Sequence, residues 1–388
     1  MMDFSLSEEQ RMFRSMFVDF STNEIAPVAE ELDHEEAVPL KILQKAARQG
    51  FLGATLPETY FGADLDFVSY ALLIEALATD CMSVAVTLGT HVSLVAMSIL
   101  RHGTDAQREE HLPALATGEA VGAYAMTEPD AGSDTTELKS RAVRDGDEYL
   151  IDGVKTWVAN GRMGGGGLST LFLVFAQTSA GITAFLVPAG TPGLAVGYRE
   201  PTLGLRNVSF HTIYLEGCRV PVSNRLGDEG GGPEIAAQAQ ERLAITLGAG
   251  ALGVASSSLD VASQFATERV QFGVPIAQKQ AIQAYVAESA AEIEALRHLV
   301  YHGAWQIDQG AEMSFHAPVV KTFAARVARS VTDRMVQVMG GYGYMEDYPL
   351  ARKYRDARAL SLIGGPTELH EVRIAEQIFA ECGVEIAP

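Results

Sequence analysis

The chain has 388 residues, 47% of them hydrophobic and 20% charged, with a formal net charge of −20. That length exceeds what one core fills and the composition is too apolar for a disordered chain, so two or three folded domains are expected. The negative charge argues against nucleic-acid binding and against docking on anionic membrane, but leaves room for a phosphate-bearing small molecule held in a local basic pocket.

Cys81, Cys218 and Cys382 are far apart and odd in number, which gives neither a zinc spacing nor a disulfide framework and points to a reducing compartment. Met2-Asp3-Phe4 leads almost directly into a helix start with no basic-then-apolar signal, and no apolar run reads as long enough to span a bilayer. A soluble cytoplasmic protein without membrane insertion is expected.

Ser7-Glu8-Glu9-Gln10 fits a capping box, and Met12, Phe13, Met16, Phe17 and Phe20 then recur at helical spacing. Helical patterns follow over Leu40–Arg48, Phe67–Ala78 and Met82 to about Arg101, with a Leu56–Gly62 loop between the first two. From Ala120 the character changes. Tyr149-Leu150-Ile151 meets Asp152-Gly153, a hairpin signal, and Val154–Val158 continues as a strand. Further strand patterns at 171–176, 183–187, 194–198 and 209–215 predict a small antiparallel barrel or sandwich, with a Gly164–Gly167 run in one of its loops. After the glycine-rich Gly227–Gly232 linker, long helical patterns cover 233–268, 279–310, 318–340 and 366–381, which suggests a bundle. The expected order is a helical domain at 1–118, a β domain at 119–228 and a helical bundle at 229–388.

Several stretches carry more than packing. Tyr124-Ala-Met-Thr-Glu-Pro-Asp-Ala-Gly-Ser-Asp134 offers backbone N–H groups, hydroxyls and carboxylates in one loop, and reads either as a binding loop or as a plain surface turn. Trp157, beside Asn160-Gly161, is either a core or barrel-mouth residue or an aromatic wall for a planar ring. Glu268–Ile276 breaks two long helices, and its Arg269 and Phe272 form either a simple turn or a phosphate fork with a stacking ring. Gln337–Tyr344 ends a helix on paired glycines, and Gly364-Gly365-Pro366-Thr367 turns into another whose N-terminus can face an anion or a carbonyl oxygen.

The first four of these stretches, in this order over the chain, resemble motifs of the acyl-CoA dehydrogenase flavoenzymes. The resemblance implies a mostly α fold with a central β domain, FAD as cofactor, and α,β-dehydrogenation of an acyl thioester with electrons passed to an electron-transfer flavoprotein. It implies that Tyr124, Met126 and Thr127 meet the flavin edge and that Trp157 covers one ring face. Ser133 would meet the flavin diphosphate or the pantetheine arm. Ala159 falls where the family usually has serine or threonine, so only backbone is left for that contact. Arg269, Phe272, Gln280, Gln337 and Gly341 would hold the adenosine diphosphate half, partly across a subunit boundary of a homotetramer built as a dimer of dimers.

The family's usual catalytic glutamate in the Ile-Tyr-Glu-Gly-Thr turn is replaced here by Gly364. Glycine is no base. Glu368 and Glu371 suit an ordinary helix N-terminus. Glu241, directly before Arg242-Leu243, matches the arrangement of the isovaleryl-CoA and long-chain branches, which pair a base on this helix with a non-acidic turn residue. Glu241 is therefore the expected base, rather than a solvated partner of Arg242. The Gly364 N–H is the expected donor to the thioester carbonyl, the other donor by resemblance being a ribityl hydroxyl of FAD, and Arg242 is a further substrate contact. Pro366 and Phe61 also depart from the family pattern, with Thr367 as the replacement for a flavin contact at Pro366. Open alternatives are the same chemistry on an acyl or prolyl group tethered to a carrier protein, a flavin-dependent monooxygenase or oxidase, and a non-catalytic scaffold on the same fold.

Overall fold

The computed structural model describes residues 5–163 and 169–384. Met2-Asp3-Phe4 and the Gly164–Gly167 run lie outside the described residues. Helices open the chain: α1 (Glu8–Phe20), α2 (Ala29–Glu35), α3 (Leu40–Arg48), α4 (Phe67–Asp80), α5 (Met82–Gly89), α6 (Met97–His102) and α7 (Asp105–Thr117). Ser7 accepts from the Gln10 N–H at 3.1 Å while the Gln10 side chain accepts from the Ser7 N–H at 3.0 Å, so the first capping box forms as read. A second box, Thr104 with Gln107, starts α7, a helix the sequence reading did not single out. Between α5 and α6 the backbone widens into a π-helical segment, Thr90–Ala96, where the His91 ring is held between the Leu52 carbonyl and the Gly122 N–H.

Eight strands follow: β1 (Ala120–Ala125), β2 (Arg141–Asp145), β3 (Glu148–Val158), β4 (Ser169–Thr178), β5 (Gly181–Pro188), β6 (Leu194–Arg199), β7 (His211–Pro221) and β8 (Arg225–Leu226). They make one sheet in the order β6-β7-β3-β2-β4-β5-β8, with β1 beside β4. Most pairings are antiparallel, as the spacing predicted, but β1 runs parallel to β4 over its whole length and β2 touches β4 in parallel at Arg141–Gln177. The sheet is therefore mixed. The two faces of β4 explain its unbroken apolar run: Leu171, Leu173 and Phe175 join the helical core, while Phe172, Val174 and Ala176 join a separate core inside the β region.

Asp152-Gly153 is not a hairpin turn. β3 runs straight through it, with a register shift against β7 between Ile151 and Gly153. The actual turn lies one strand earlier, where Asp145 pairs with Glu148 around Gly146. Glycine is required at 153 because a Cβ there would lie 2.0 Å from the Ser140 Oγ.

The rest is α8 (Gly232–Glu268), a short hairpin of β9 (Val270–Gln271) and β10 (Val274–Pro275), α9 (Gln280–Asp308), α10 (His316–Met339), α11 (Gly341–Tyr344), α12 (Pro349–Ala359) and α13 (Thr367–Glu381). α8 is the spine. Gly253 lets it approach α4 so closely that a Cβ would sit 2.2 Å from the Glu75 carbonyl oxygen. Two helical runs, Met82–His102 and Gly232–Glu268, are in fact long and apolar enough to cross a membrane, contrary to the sequence reading. Of their most apolar windows 94% and 78% are buried inside the fold, which accounts for that apolarity as core packing.

Candidate active site

The Tyr124–Asp134 loop leaves the end of β1 and is fastened from below. Lys155, on β3 and fully buried, donates to the Glu128 carboxylate at 2.6 Å and to the Met126 carbonyl at 3.1 Å. Glu128 also accepts the Lys139 N–H at 2.6 Å and the Ser140 N–H at 3.0 Å. Burial alone would raise the Glu128 pKa, but these donors outweigh it and hold the group as a carboxylate below its ordinary value. Burial pushes Lys155 down to about 8, with Glu128 opposing, so at neutral pH the lysine keeps its charge. Thr127 adds a backbone bond, its carbonyl accepting from the Thr156 N–H at 2.9 Å. The acids of this loop are thereby committed to structure: Glu128 to the clamp, Asp130 to Lys139, and Asp134 to the Thr136 N–H and hydroxyl.

Trp157 stands 61% exposed at the end of β3, with φ +53. A tryptophan in the left-handed region is strained and is held there by its surroundings. Met126 and Ala159 are buried nearby in sequence, Thr127 is half-buried and Ser133 is exposed. The core reading of Trp157 does not hold, because the indole is presented outward.

The second part of the site lies between α8 and the turn before α13. A Cβ on Gly364 would meet Leu247 at 3.1 Å, Leu243 at 3.3 Å and the Gln240 Oε1 at 3.6 Å, so the turn rests on the α8 segment that carries Glu241. The Tyr124 hydroxyl lies beside Gln240 as well, which ties the β1 loop to this place. Tyr124 also donates to the Met126 sulfur at 3.2 Å. Burial, with Glu312 adding and Arg242 and Arg373 opposing, raises the Glu241 pKa above its ordinary value. Among the described residues Glu241 accepts no hydrogen bond and makes no ion pair, although it is half-buried. The Gly364 N–H likewise donates to no acceptor among the described residues. Gly364 and Gly365 have φ +72 and +93, a conformation that glycine alone takes without strain.

The structure separates Arg242 from that group. Its guanidinium approaches the Ser93 carbonyl at 3.5 Å, on the side of Arg101 and His102. Burial pulls it down to about 10. The rejected acids are accounted for: Glu368 is exposed in the first turn of α13, and Glu371 pairs with Arg326 at 3.4 Å. Pro366 is the N-cap residue of α13, and the Thr367 N–H donates to the Ser361 carbonyl at 3.1 Å, closing the turn. Phe61 is exposed with φ +62, so it takes up the left-handed conformation that a glycine would have accepted more readily.

A third group sits at the other end of α8. Arg269 lies over the Tyr342 ring at 5.4 Å, and Phe272 is 94% exposed with φ +54. Gln280, Gln337 and Gly341 are exposed too, and an added Cβ on Gly341 would meet nothing within 4 Å. At 1.5 Å per helical residue this surface is about 40 Å from Gln240 along α8. The two groups of residues are thus far apart within one chain.

Outward-facing aromatic rings on strained backbone, an open glycine helix end and an arginine with no acidic partner among the described residues suit a flavin dinucleotide. Comparison with known proteins agrees. Family models for acyl-CoA dehydrogenase match the N-terminal domain over residues 7–119, the middle domain over 123–218 and the C-terminal domain over 230–379. The short-chain-specific acyl-CoA dehydrogenase of Clostridium acetobutylicum is 37% identical over 97% of this chain and 100% of its own length. The structure of butyryl-CoA dehydrogenase from Megasphaera elsdenii is similar with a TM-score of 0.93 at 35% identity, covering 97% of this chain and 100% of that one. That of acyl-CoA dehydrogenase complexed with FAD from Bacillus anthracis has a TM-score of 0.92 at 30% identity, covering 99% and 69%. The chain belongs to the acyl-CoA dehydrogenase family, FAD-dependent oxidoreductases acting on the CH–CH bond of an acyl thioester.

Sequence reasoning missed Lys155 and Gln240 as residues that build this region. A lysine inside an alternating strand is itself a signal, since it must find a buried partner.

Proposed function

We propose that Glu241 removes the α-proton of the acyl thioester while the Gly364 N–H stabilises the charge that develops on the thioester oxygen. One observation carries this reading: a half-buried carboxylate without a hydrogen bond and a backbone N–H without an acceptor share one stretch of α8 and the turn packed on it. Desolvation makes Glu241 a stronger base than a solvated glutamate, and a fixed N–H donor needs no reorganisation as the enolate forms. Bound FAD supplies the acceptor for the hydride that leaves the β-carbon. Tyr124, Met126 and Thr127 line its reactive edge, Trp157 covers a ring face, and the Lys155–Glu128 clamp keeps that loop in register. Ala159 gives only backbone to the cofactor.

Arg269, Phe272, Gln280, Gln337 and Gly341 hold the adenosine diphosphate half of a flavin bound mainly by a second subunit. The separation of about 40 Å along α8 is longer than an extended FAD and supports this sharing, as does the exposure of Phe272, Tyr344 and Met345. The assembly is a homotetramer formed as a dimer of dimers, its electron acceptor an electron-transfer flavoprotein, and its setting the cytoplasm, in keeping with three unpaired cysteines. The substrate handle is coenzyme A, with Ser133 at the pantetheine or diphosphate.

The test is an anaerobic flavin-bleaching panel of purified protein with acyl-CoAs of different length and branching, and with acyl and prolyl groups on a carrier protein. Bleaching by short acyl-CoAs supports the reading. Bleaching by carrier-bound groups alone moves the handle to a carrier, and protein unable to take up flavin favours a scaffold.

A further inference from the structure

The turn that offers the Gly364 N–H is held by two side chains with no assigned part in the reaction. His370, buried in the first turns of α13, has its Nε2 at 2.9 Å from the Gly364 carbonyl oxygen. Lys321, buried on α10, donates to the Leu360 carbonyl at 2.7 Å and to the Gly365 carbonyl at 3.3 Å. A carbonyl can only accept, so the Nε2 of His370 carries the proton, and Nδ1 is left buried with no partner among the described residues. Burial brings His370 down to about 4, and Lys321 and Arg373 nearby also disfavour its protonation, so the ring is neutral and its tautomer is fixed. The imidazole also caps the turn sterically: a Cβ on Gly365 would meet Nε2 at 3.1 Å.

Two successive glycines with positive φ form a weak point, because each has many other conformations open to it. Rotation of the 364–365 peptide would release the Gly364 carbonyl from His370 and loosen the turn that carries the N–H of the adjoining 363–364 peptide. We propose that His370 is a positioning residue which, by donating to the Gly364 carbonyl, locks the Gly364–Gly365 turn with its Gly364 N–H presented to the thioester oxygen. Lys321 anchors the two ends of the same turn. An unpaired Nδ1 in a buried ring is a cost that packing alone would not retain, since an apolar side chain would fill the space without it.

This inference rests on the reading of the Gly364 N–H as the oxyanion donor. The experiment compares wild-type holoenzyme with His370→Leu, which fills space without a donor, and His370→Gln, whose amide can donate. The probe is 4-dimethylaminocinnamoyl-CoA, whose absorption moves to longer wavelength as its carbonyl is polarised. FAD content and binding constant are measured beside the shift and the rate of flavin reduction by substrate. His370→Leu is expected to retain FAD and probe binding, to lose most of the shift, and to reduce flavin roughly 10- to 100-fold more slowly, less than outright loss of an oxyanion donor. His370→Gln restores both the shift and the rate. If the two variants behave alike, whether both keep or both lose the shift, donation from residue 370 is not what holds the turn and the inference is overturned. A wild-type enzyme that binds the probe without any shift overturns instead the Gly364 reading beneath it.

Discussion

Glu241→Gln separates the base from everything else in the site. The substitution keeps shape and removes the charge. Among the described residues the neighbouring acids are otherwise engaged or exposed: Glu312 accepts from the Ser314 hydroxyl, Glu128 is held by Lys155, Lys139 and Ser140, Glu371 pairs with Arg326 and Glu368 is exposed. A general base contributes about 10²–10⁴-fold, and with no substitute the loss belongs at the upper end, about 5 kcal/mol of barrier. The assay is stopped-flow anaerobic reduction of bound FAD by a short acyl-CoA, with FAD content checked first. In the wild type the rate falls as pH drops through the Glu241 pKa, which burial places above the usual carboxylate value; this acid limb disappears in the variant. The stability sign is opposite. A carboxyl whose folded pKa is raised contributes stability below its unfolded pKa that is lost as pH rises through the folded one, so at pH 7 Glu241→Gln has a Tm equal to or above that of the wild type. A variant that bleaches at the wild-type rate refutes the assignment.

Three further outcomes follow from the same contacts. Lys155→Met leaves the Glu128 carboxylate buried without its cation and costs about 3–5 kcal/mol in denaturant unfolding, while adding Glu128→Gln recovers part of it. Trp157→Gly relieves a left-handed residue, so apoprotein stability is kept or rises by about 1 kcal/mol, whereas FAD affinity measured by fluorescence titration falls. Gly364→Glu, introduced into Glu241→Gln, does not restore bleaching. At φ +72 a side chain is strained, and its Cβ is crowded by Leu247 and Leu243 at 3.1 and 3.3 Å.

The parts of this fold that local chemistry dictates were legible in the sequence. Capping at Ser7, the long α8 pattern and the short strand patterns of β3 and β5 all rest on neighbours within a few residues. What depends on distant partners was not. The parallel pairing of β1 with β4 joins residues about fifty apart and leaves no local signature. Asp152-Gly153 has the composition of a turn, yet Ser140 and β7 make it a bulge. The apolar run 82–102 read as too short for a membrane but passes that test by length, and only the surrounding helices show why it is apolar. In the candidate site, Glu241 and Gly364 were singled out through motif resemblance, since over 120 residues separate them in the chain. The approach of the Arg242 guanidinium to the Ser93 carbonyl depends on a distant segment and left no local sign. The hold of His370 and Lys321 on backbone carbonyls left none either, because a carbonyl carries no residue identity.

The central claim is that Glu241 moves the α-proton, and it can be tested apart from hydride transfer. A 3-thia-acyl-CoA has sulfur in place of the β-carbon, so its α-proton can be abstracted while no β-hydride is available. In D2O, wild-type holoenzyme is predicted to exchange deuterium into the α-position of this thioester, and Glu241→Gln with full FAD content is predicted not to. Exchange by Glu241→Gln at the wild-type rate would contradict the account.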